Sequence, residues 1–276
     1  MTAATQLPAS VLAVRGQVVE RRPDRLVGEE PLEIRACGPG QEPADVAVTM
    51  RTPGGEEELA AGFLVTEGLI EPGWIAGFAA GDAATMARPD NEITVHLDRG
   101  FEASDVAGRA FVATASCGIC GKASIDDIAV RCRPLGHGPT LRRSVLLALP
   151  DRMREAQRVF ASTGGLHAAA LFTPDGELMA LREDIGRHNA LDKLVGAMAI
   201  RGGLPLGGSV LLVSGRVSFE ITQKAAMAGF PILAAVSAPS DMAVATAERL
   251  GMTLIGFLRG DGFNVYAGEE RLDLAG

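Results

Sequence analysis

Between residues 167 and 258 the chain alternates short apolar runs with longer amphipathic ones, and that alternation leaves few folds open. Residues 210–213 and 232–236 are uninterrupted apolar stretches of strand length, while 219–228 and 241–250 have helical length and spacing. A strand apolar on every side chain is buried on both faces, as in a sheet covered by helices. Upstream, residues 167–172 and 177–181 flank Thr173-Pro174-Asp175-Gly176, a turn sequence that closes hairpins. A helix is expected over 189–200 and a last strand over 253–258. The order β-β-α-β-α-β-α-β predicts a mostly parallel sheet with helices on both faces. With 47% hydrophobic residues in 276, a core of that size can be filled.

The N-terminal half has a different texture. Residues 1–30 are weakly patterned, with one candidate strand over 11–19. Residues 31–36 and 46–51 alternate apolar and polar side chains like two strands around Gly38-Pro39-Gly40. Thr52-Pro53-Gly54-Gly55 then breaks the chain, and Glu56-Glu57-Glu58 opens a helix carrying Leu59, Phe63, Leu64 and Ile70. A strand is expected over 93–97, a Gly- and Pro-rich linker over 131–140 and an amphipathic helix over 151–162. Three segments follow: a poorly patterned 1–30, a smaller α+β domain over 31–140, and an α/β domain over 141–276.

A net charge of −8 argues against non-specific nucleic-acid binding, which needs a basic face. No basic segment leads into an apolar run at the start, and no stretch is long and apolar enough to span a bilayer, so a cytoplasmic protein is expected.

The densest chemistry lies in Ser116-Cys117-Gly118-Ile119-Cys120-Gly121-Lys122. Lys122 and a nearby helix start would favour a reactive thiolate. Cys117, Cys120, Cys132 and His137 could instead hold zinc, although a single CxxC is only a moderate signal. Buried inert cysteines are the third option, weakened because Gly118 and Gly121 offer no side chains to cover them. Spacing leaves all three open.

Two other segments lead from strand ends into helices, where free amides and the helix dipole favour anions. One runs from Leu181 to Asn189 and carries Arg182, Arg187 and His188; the other is Ser214-Gly215-Arg216. The opposing possibility is that Asp184 or Asn189 caps the helix while the arginines pair with Glu183 and Asp184. Thr163-Gly164-Gly165-Leu166-His167 is a loop open to close backbone approach, or a plain turn. In Phe257-Leu258-Arg259-Gly260-Asp261-Gly262, Arg259 suits phosphate and Asp261 a guanine edge, with a surface turn as the alternative.

Together these motifs, with Thr49-Met50-Arg51-Thr52-Pro53-Gly54 and Ser218-Phe219-Glu220, resemble the FdhD family, the formate dehydrogenase accessory sulfurtransferases. The resemblance covers nearly the whole chain from about Pro31. It implies a C-terminal cytidine deaminase-like three-layer α/β/α domain behind the N-terminal α+β domain, and a homodimer. It also implies a sulfurtransferase that accepts persulfide sulfur from a cysteine desulfurase and passes it to the molybdenum cofactor, a bis(molybdopterin guanine dinucleotide), for formate dehydrogenase. Cys117 would carry the sulfur and Cys120 relay it or assist release. Phe257, Leu258, Arg259, Gly260, Asp261 and Gly262 would hold the nucleotide, with Arg187 and His188 beside them and no resident metal. The alternative function is a non-catalytic cofactor-binding chaperone with a structural or zinc-binding CxxC. Deaminase chemistry is not expected: no histidine begins an H-x-E, and Ser116, not proline, precedes Cys117.

Overall fold

The structure is a computed structural model that describes residues 5–84, 86–102 and 134–275. Its first element is a hairpin, β1 (Gln6–Arg15) and β2 (Val18–Val27), closed at Gly16, whose φ of 60° suits the tight turn. The strand expected over 11–19 thus straddles a turn, and the segment expected to lack pattern is two long strands.

A four-stranded sheet follows, with β3 (Glu30–Cys37), β4 (Ala44–Arg51), β5 (Ile75–Ala80) and β6 (Glu92–Leu97) in the order β4-β3-β6-β5. β3 alternates as expected, turning Leu32, Ile34 and Ala36 into the core. Helix α1 (Glu56–Thr66) covers this sheet with Leu59, Ala60, Leu64 and Val65. β5 escaped the sequence reading because Ile-Ala-Gly-Phe-Ala-Ala carries little β-propensity of its own.

The second half contains β7 (Leu141–Arg142), α2 (Arg143–Ala156), α3 (Arg158–Thr163), β8 (His167–Phe172), β9 (Leu178–Asp184) and α4 (Arg187–Ile200). It continues with β10 (Val210–Val213), α5 (Phe219–Met227), β11 (Ile232–Ala235), α6 (Asp241–Leu250), β12 (Thr253–Arg259), β13 (Gly262–Ala267) and β14 (Leu272–Asp273). Six strands form one sheet in the order β13-β12-β11-β10-β8-β9. Only β10, β11 and β12 run parallel; β8, β9 and β13 are antiparallel to their neighbours. The expected mostly parallel sheet is therefore mixed. Helices connect the parallel strands, whereas the short turns at 173–176 and 260–261 can only return the chain antiparallel. The residues after Leu258, expected to be a loop, become β13 by that turn.

Helices cover both faces, as the apolar strands require. Leu211, Val213, Leu233 and Ala235 point toward α4, α5 and α6, while Val210, Leu212, Ile232 and Ala234 pack on Leu141, Leu146, Leu149 and Met153. The helix expected over 151–162 is two helices. α2 starts at Arg143 and passes through Pro150, held by Leu146, Leu149 and Met153; the chain turns at Gln157, and the Glu183 carboxylate accepts from Val159 N (3.1 Å) and Phe160 N (2.8 Å) at the start of α3.

One hydrophobic core runs from the four-stranded sheet through α1 and α4 to the six-stranded sheet. α1 and α4 meet at Gly62 and Gly196, where a methyl on Gly62 would overlap the Asp192 carbonyl and one on Gly196 the Glu58 carbonyl. Beside this crossing the buried Lys224 ammonium of α5 donates to Asp192 Oδ2 (2.9 Å), Glu67 Oε1 (3.0 Å) and Thr66 Oγ1 (2.9 Å). Burial opposes this charge, but Asp192 and Glu67 outweigh it and the lysine pKa lies above the ordinary amine range; burial pushes that of Asp192 up.

Gly196→Ala is expected to destabilise by about 1–3 kcal/mol through forced separation of α1 and α4. Lys224→Met is expected to cost about 3–5 kcal/mol by leaving two carboxylates buried without their cation. Urea unfolding monitored by circular dichroism measures both.

Candidate functional site

The ends of β9, β10, β11 and β12 and the start of β8 all lie at one edge of the six-stranded sheet. Register fixes this, since His167 pairs with Asp184, and Val213 with both Ala169 and Ala235. Backbone bonds join the loops there into a continuous rim. Ser214 N donates to Ala168 O (3.0 Å), Val217 N to Ala238 O (3.1 Å) and Phe257 N to Ser237 O (3.1 Å). The Ser214 hydroxyl oxygen accepts from Ala168 N at 2.9 Å.

The first loop is anchored from the N-terminal half. Buried Asp184 bonds Lys193 (2.6 Å), accepts from Thr52 N (3.1 Å) and from Gly186 N (2.8 Å), and lies 3.1 Å from Asn189 Nδ2. Thr52 Oγ1 accepts from Ile185 N at 3.1 Å, Thr52 O from Lys193 at 2.8 Å, and Met50 O from Asn189 at 2.8 Å. Arg51, fully buried, donates to Asp90 O (2.9 Å) and Asn91 Oδ1 (3.1 Å) and pairs with Glu56 (3.1 Å). The Thr49 to Gly54 motif therefore sets the angle at which residues 184–189 enter α4.

This scaffold assigns the expected ligand groups unequally. Arg182 grips Glu58 through two bonds of 2.5 and 2.6 Å, so its charge is spent between the two sheets. Neither arginine pairs as the capping alternative expected: Glu183 caps α3 and Asp184 pairs with Lys193. Arg187 and His188 do reach the rim. His188 Nε2 lies 3.0 Å from Glu220 Oε2 and 3.4 Å from Ser218 Oγ, both at the start of α5. Arg187 Nε is shielded from solvent with no hydrogen-bond partner among the described residues.

His167 stands beside them. A methyl on Gly215 would come within 3.2 Å of its Nδ1 and 3.7 Å of Arg187 Cβ, so glycine is what lets the three approach. Burial first, then the positive charges of Arg187 and His188, hold the His167 pKa below the ordinary imidazole range. His167, Ser218 and Glu220 lie in motifs that the sequence brought forward, but none of the three has an expected role there. The signal that points to them is the strand-loop-helix pattern repeated at β9–α4 and β10–α5. In the loop before His167, Gly164 closes α3 with φ 68°, the turn expected there.

The β12–β13 turn occupies the same edge, two strands beyond β10. Phe257 adopts φ 54°, which side chains rarely take, at an irregularity in the pairing of Gly256 and Arg259. Arg259 is exposed, its guanidinium 5.7 Å from the centre of the Phe257 ring, and Gly260, Asp261 and Gly262 line the tip. The Leu258 side chain is fully buried in the core, so at this position the backbone alone is open to the loop.

Cys117 and Cys120 lie outside the described residues, as does Cys132 of the zinc alternative. Among the described residues no group of three His, Cys, Asp or Glu side chains could hold a metal. Cys37 is buried, its Sγ 3.3 Å from His96 Nδ1, and burial pushes its thiol pKa up. No helix among the described residues is long and apolar enough to cross a membrane.

An α/β protein with a loop-built rim at a sheet edge defines the class. Within it, residues 27–273 match the FdhD/NarQ family, and the chain belongs to that family. Proteins named sulfur carrier protein FdhD are similar to it. That of Streptomyces avermitilis is 51% identical over 96% of this chain and 94% of its own, and that of Mycobacterium tuberculosis 51% identical over 91% and 92%. That of Sulfurisphaera tokodaii is 40% identical over 95% and 97%. The crystal structure of a candidate formate dehydrogenase accessory protein from Desulfotalea psychrophila shares the fold, with a TM-score of 0.75 at 22% identity, covering 98% of this chain and all of that one.

Because His167 binds its proton less readily in the folded chain than at the ordinary value of 6.5, the unfolded chain takes up more protons as pH falls past that value. Stability attributable to neutral His167 is present above this range and declines as pH drops through about 6.5. His167→Gln removes that slope, and urea unfolding of both proteins across the range measures the difference.

Proposed function

We propose that this protein is a sulfurtransferase in formate dehydrogenase maturation, accepting persulfide sulfur from a cysteine desulfurase and delivering it to the molybdenum cofactor. The reading rests on family membership and on relatives named sulfur carriers. The observation that carries it to a site is the rim, which gathers the motif loops at 184–188, 214–220 and 257–262 along one sheet edge.

In the first step the Cys117 thiolate attacks the outer sulfur of the donor's persulfide; the S–S bond breaks and the donor cysteine leaves as a thiolate. In the second, the Cys120 thiolate attacks the Cys117 sulfur, forming a Cys117–Cys120 disulfide and releasing the outer sulfur as hydrosulfide for the cofactor. The cofactor is substrate here, a bis(molybdopterin guanine dinucleotide). Arg259 and the open amides of the Gly260 turn suit its phosphates, Asp261 its guanine edge and Phe257 its planar ring. Arg187 and His188 extend the rim toward a second anionic group. The six-stranded sheet with helices on both faces is read as a cytidine deaminase-like core put to this use, in a cytoplasmic homodimer.

Incubation with a cysteine desulfurase and cysteine is expected to add the mass of one sulfur atom, removable by cyanide, to the wild type and not to Cys117→Ala. A Cys117→Ala protein that gains the sulfur sinks the assignment to Cys117, and a Cys117→Ala/Cys120→Ala protein that still supports active formate dehydrogenase decides for a non-catalytic chaperone. Arg259→Ala is expected to weaken GDP binding about 10- to 100-fold in calorimetry, the loss of a charge-assisted hydrogen bond.

A further inference from the structure

Where the start of β8 meets the β9–α4 and β10–α5 loops, positive charge goes unanswered. His167 Nδ1 and Arg187 Cβ converge on Gly215, so that a methyl there would come within 3.2 and 3.7 Å of them. Arg187 pairs with no carboxylate among the described residues, and its Nε is shielded from solvent without a hydrogen-bond partner. Neither Gly186 nor Ser218, which lead into α4 and α5, caps its helix through a side chain. From this junction we infer that it takes the pyrophosphate diester of a nucleotide-bearing ligand, and that His167 picks up a proton as that ligand seats. The inference rests on the nucleotide reading of the rim and adds to it a binding residue and a coupled proton.

The charged groups around His167 single it out, because every acid near it is already committed. On β9, Asp184 is its register partner and acts to raise its pKa, but that carboxylate is held by Lys193 at 2.6 Å and by the amides of Thr52 and Gly186. Glu183 is turned to the amides that open α3. On α5, Glu220 Oε2 lies 3.0 Å from His188 Nε2, so His188 has its counter-charge in place, with Ser218 Oγ at 3.4 Å. Arg216, next to Gly215, is exposed and adds a further cation to the same loop. Burial, Arg187 and His188 together keep His167 short of its proton.

An anion seated against Arg187 reverses that balance. It supplies the missing counter-charge and removes the repulsion that keeps His167 neutral, so the imidazole gains a proton and an acceptor together. By linkage, a ligand that raises the pKa of a group binds more tightly where that group is protonated. The 257–262 turn lies along the same sheet edge, two strands beyond β10 and so about 10 Å from it. A nucleotide whose base is held at that turn therefore carries its phosphates toward Arg187 and His167. A diester suits this coupling because its own charge is constant through the range in which histidine titrates, which leaves the proton to the protein.

Calorimetry of the full chain with diguanosine pyrophosphate, in buffers of different protonation heat, tests this. The wild type is expected to take up protons on binding and to bind about 3- to 10-fold more tightly near pH 6 than near pH 8, since each unit by which binding raises the pKa is a factor of about ten. His167→Gln is expected to bind with one affinity across that range and to take up no proton. Carbon–proton NMR of the His167 ring, with sulfate as a second probe, follows the titration directly, and its midpoint is expected to rise with either ligand. Wild-type binding without proton uptake overturns the inference, and so does uptake undiminished in His167→Gln, which assigns the proton to another group. A dinucleotide that fails to bind while sulfate still raises the His167 midpoint sinks the nucleotide reading. If neither ligand moves His167, the inference falls even where the dinucleotide binds at the 257–262 turn.

Discussion

The crossing of α1 and α4 at Gly62 and Gly196 is the contact on which the rest of the molecule depends. It brings the two helix backbones together so closely that neither position has room for a methyl group. Helices at that distance bury their peptide groups, and polar side chains of neighbouring elements must then answer each other in low dielectric. Lys224 with Asp192 and Glu67, and Lys193 with Asp184 and Thr52, are those answers, one on either side of the crossing. Removing an ion from either group leaves a buried charge unpaired, so the two sheets hold one relative position or the core opens. A boundary near residue 140 describes the order of elements along the chain, but the hydrophobic core does not stop there.

That rigidity reaches the rim through few residues. Thr52 holds Ile185 and accepts from Lys193, Asn189 reaches back to Met50, and Arg182 grips Glu58. The first turn of α4, with Arg187 and His188, is therefore aimed by the N-terminal half, although it follows a strand of the C-terminal sheet. His188 in turn meets Glu220 and Ser218 of the next loop-to-helix junction. A rim built on strand ends and helix starts is held more firmly than one on free loops, and two junctions bonded to each other are firmer still.

Much of this was legible in the sequence, for reasons that also explain what was not. Val210–Val213 and Asp241–Leu250 fall where periodicity places them, because a strand buried on both faces and a capped amphipathic helix leave unambiguous patterns. Strand direction was misread because apolar runs look alike in parallel and antiparallel pairs; the short turn after Arg259, with Gly260 at φ 60°, carried the missing information. The hairpin at the start was hidden because exposed strands show no core-facing alternation. At the site, Arg187, His188 and the 257–262 turn stood out because strand ends leading into helices or turns are visible in sequence. The pairing of Arg182 with Glu58 was not, because a contact across 124 residues depends on how two helices cross.

The distribution of positive charge ties scaffold to site. Both described lysines, Lys193 and Lys224, are buried and serve as compact cations inside the molecule, each satisfied by carboxylate and hydroxyl or carbonyl oxygens. The rim is left to arginine: Arg187, Arg216 and Arg259 lie along its length, and none has a carboxylate partner among the described residues. An ammonium is strongly hydrated and is held by a cage of point acceptors, which the helix crossing supplies. A guanidinium is weakly hydrated, planar and able to donate two parallel bonds, so it can wait at a surface for a planar or phosphate-bearing group. Arg259 already lies near the Phe257 ring, in a loop where the backbone is held at φ 54°. Such strain persists only where surrounding structure enforces it, and here the bond from Phe257 N to Ser237 O fixes the turn to the neighbouring strand end. The separation of fixed internal cations from uncommitted edge cations follows directly from the packing of α1 on α4, since that packing consumes the lysines and leaves the arginines at the sheet edge.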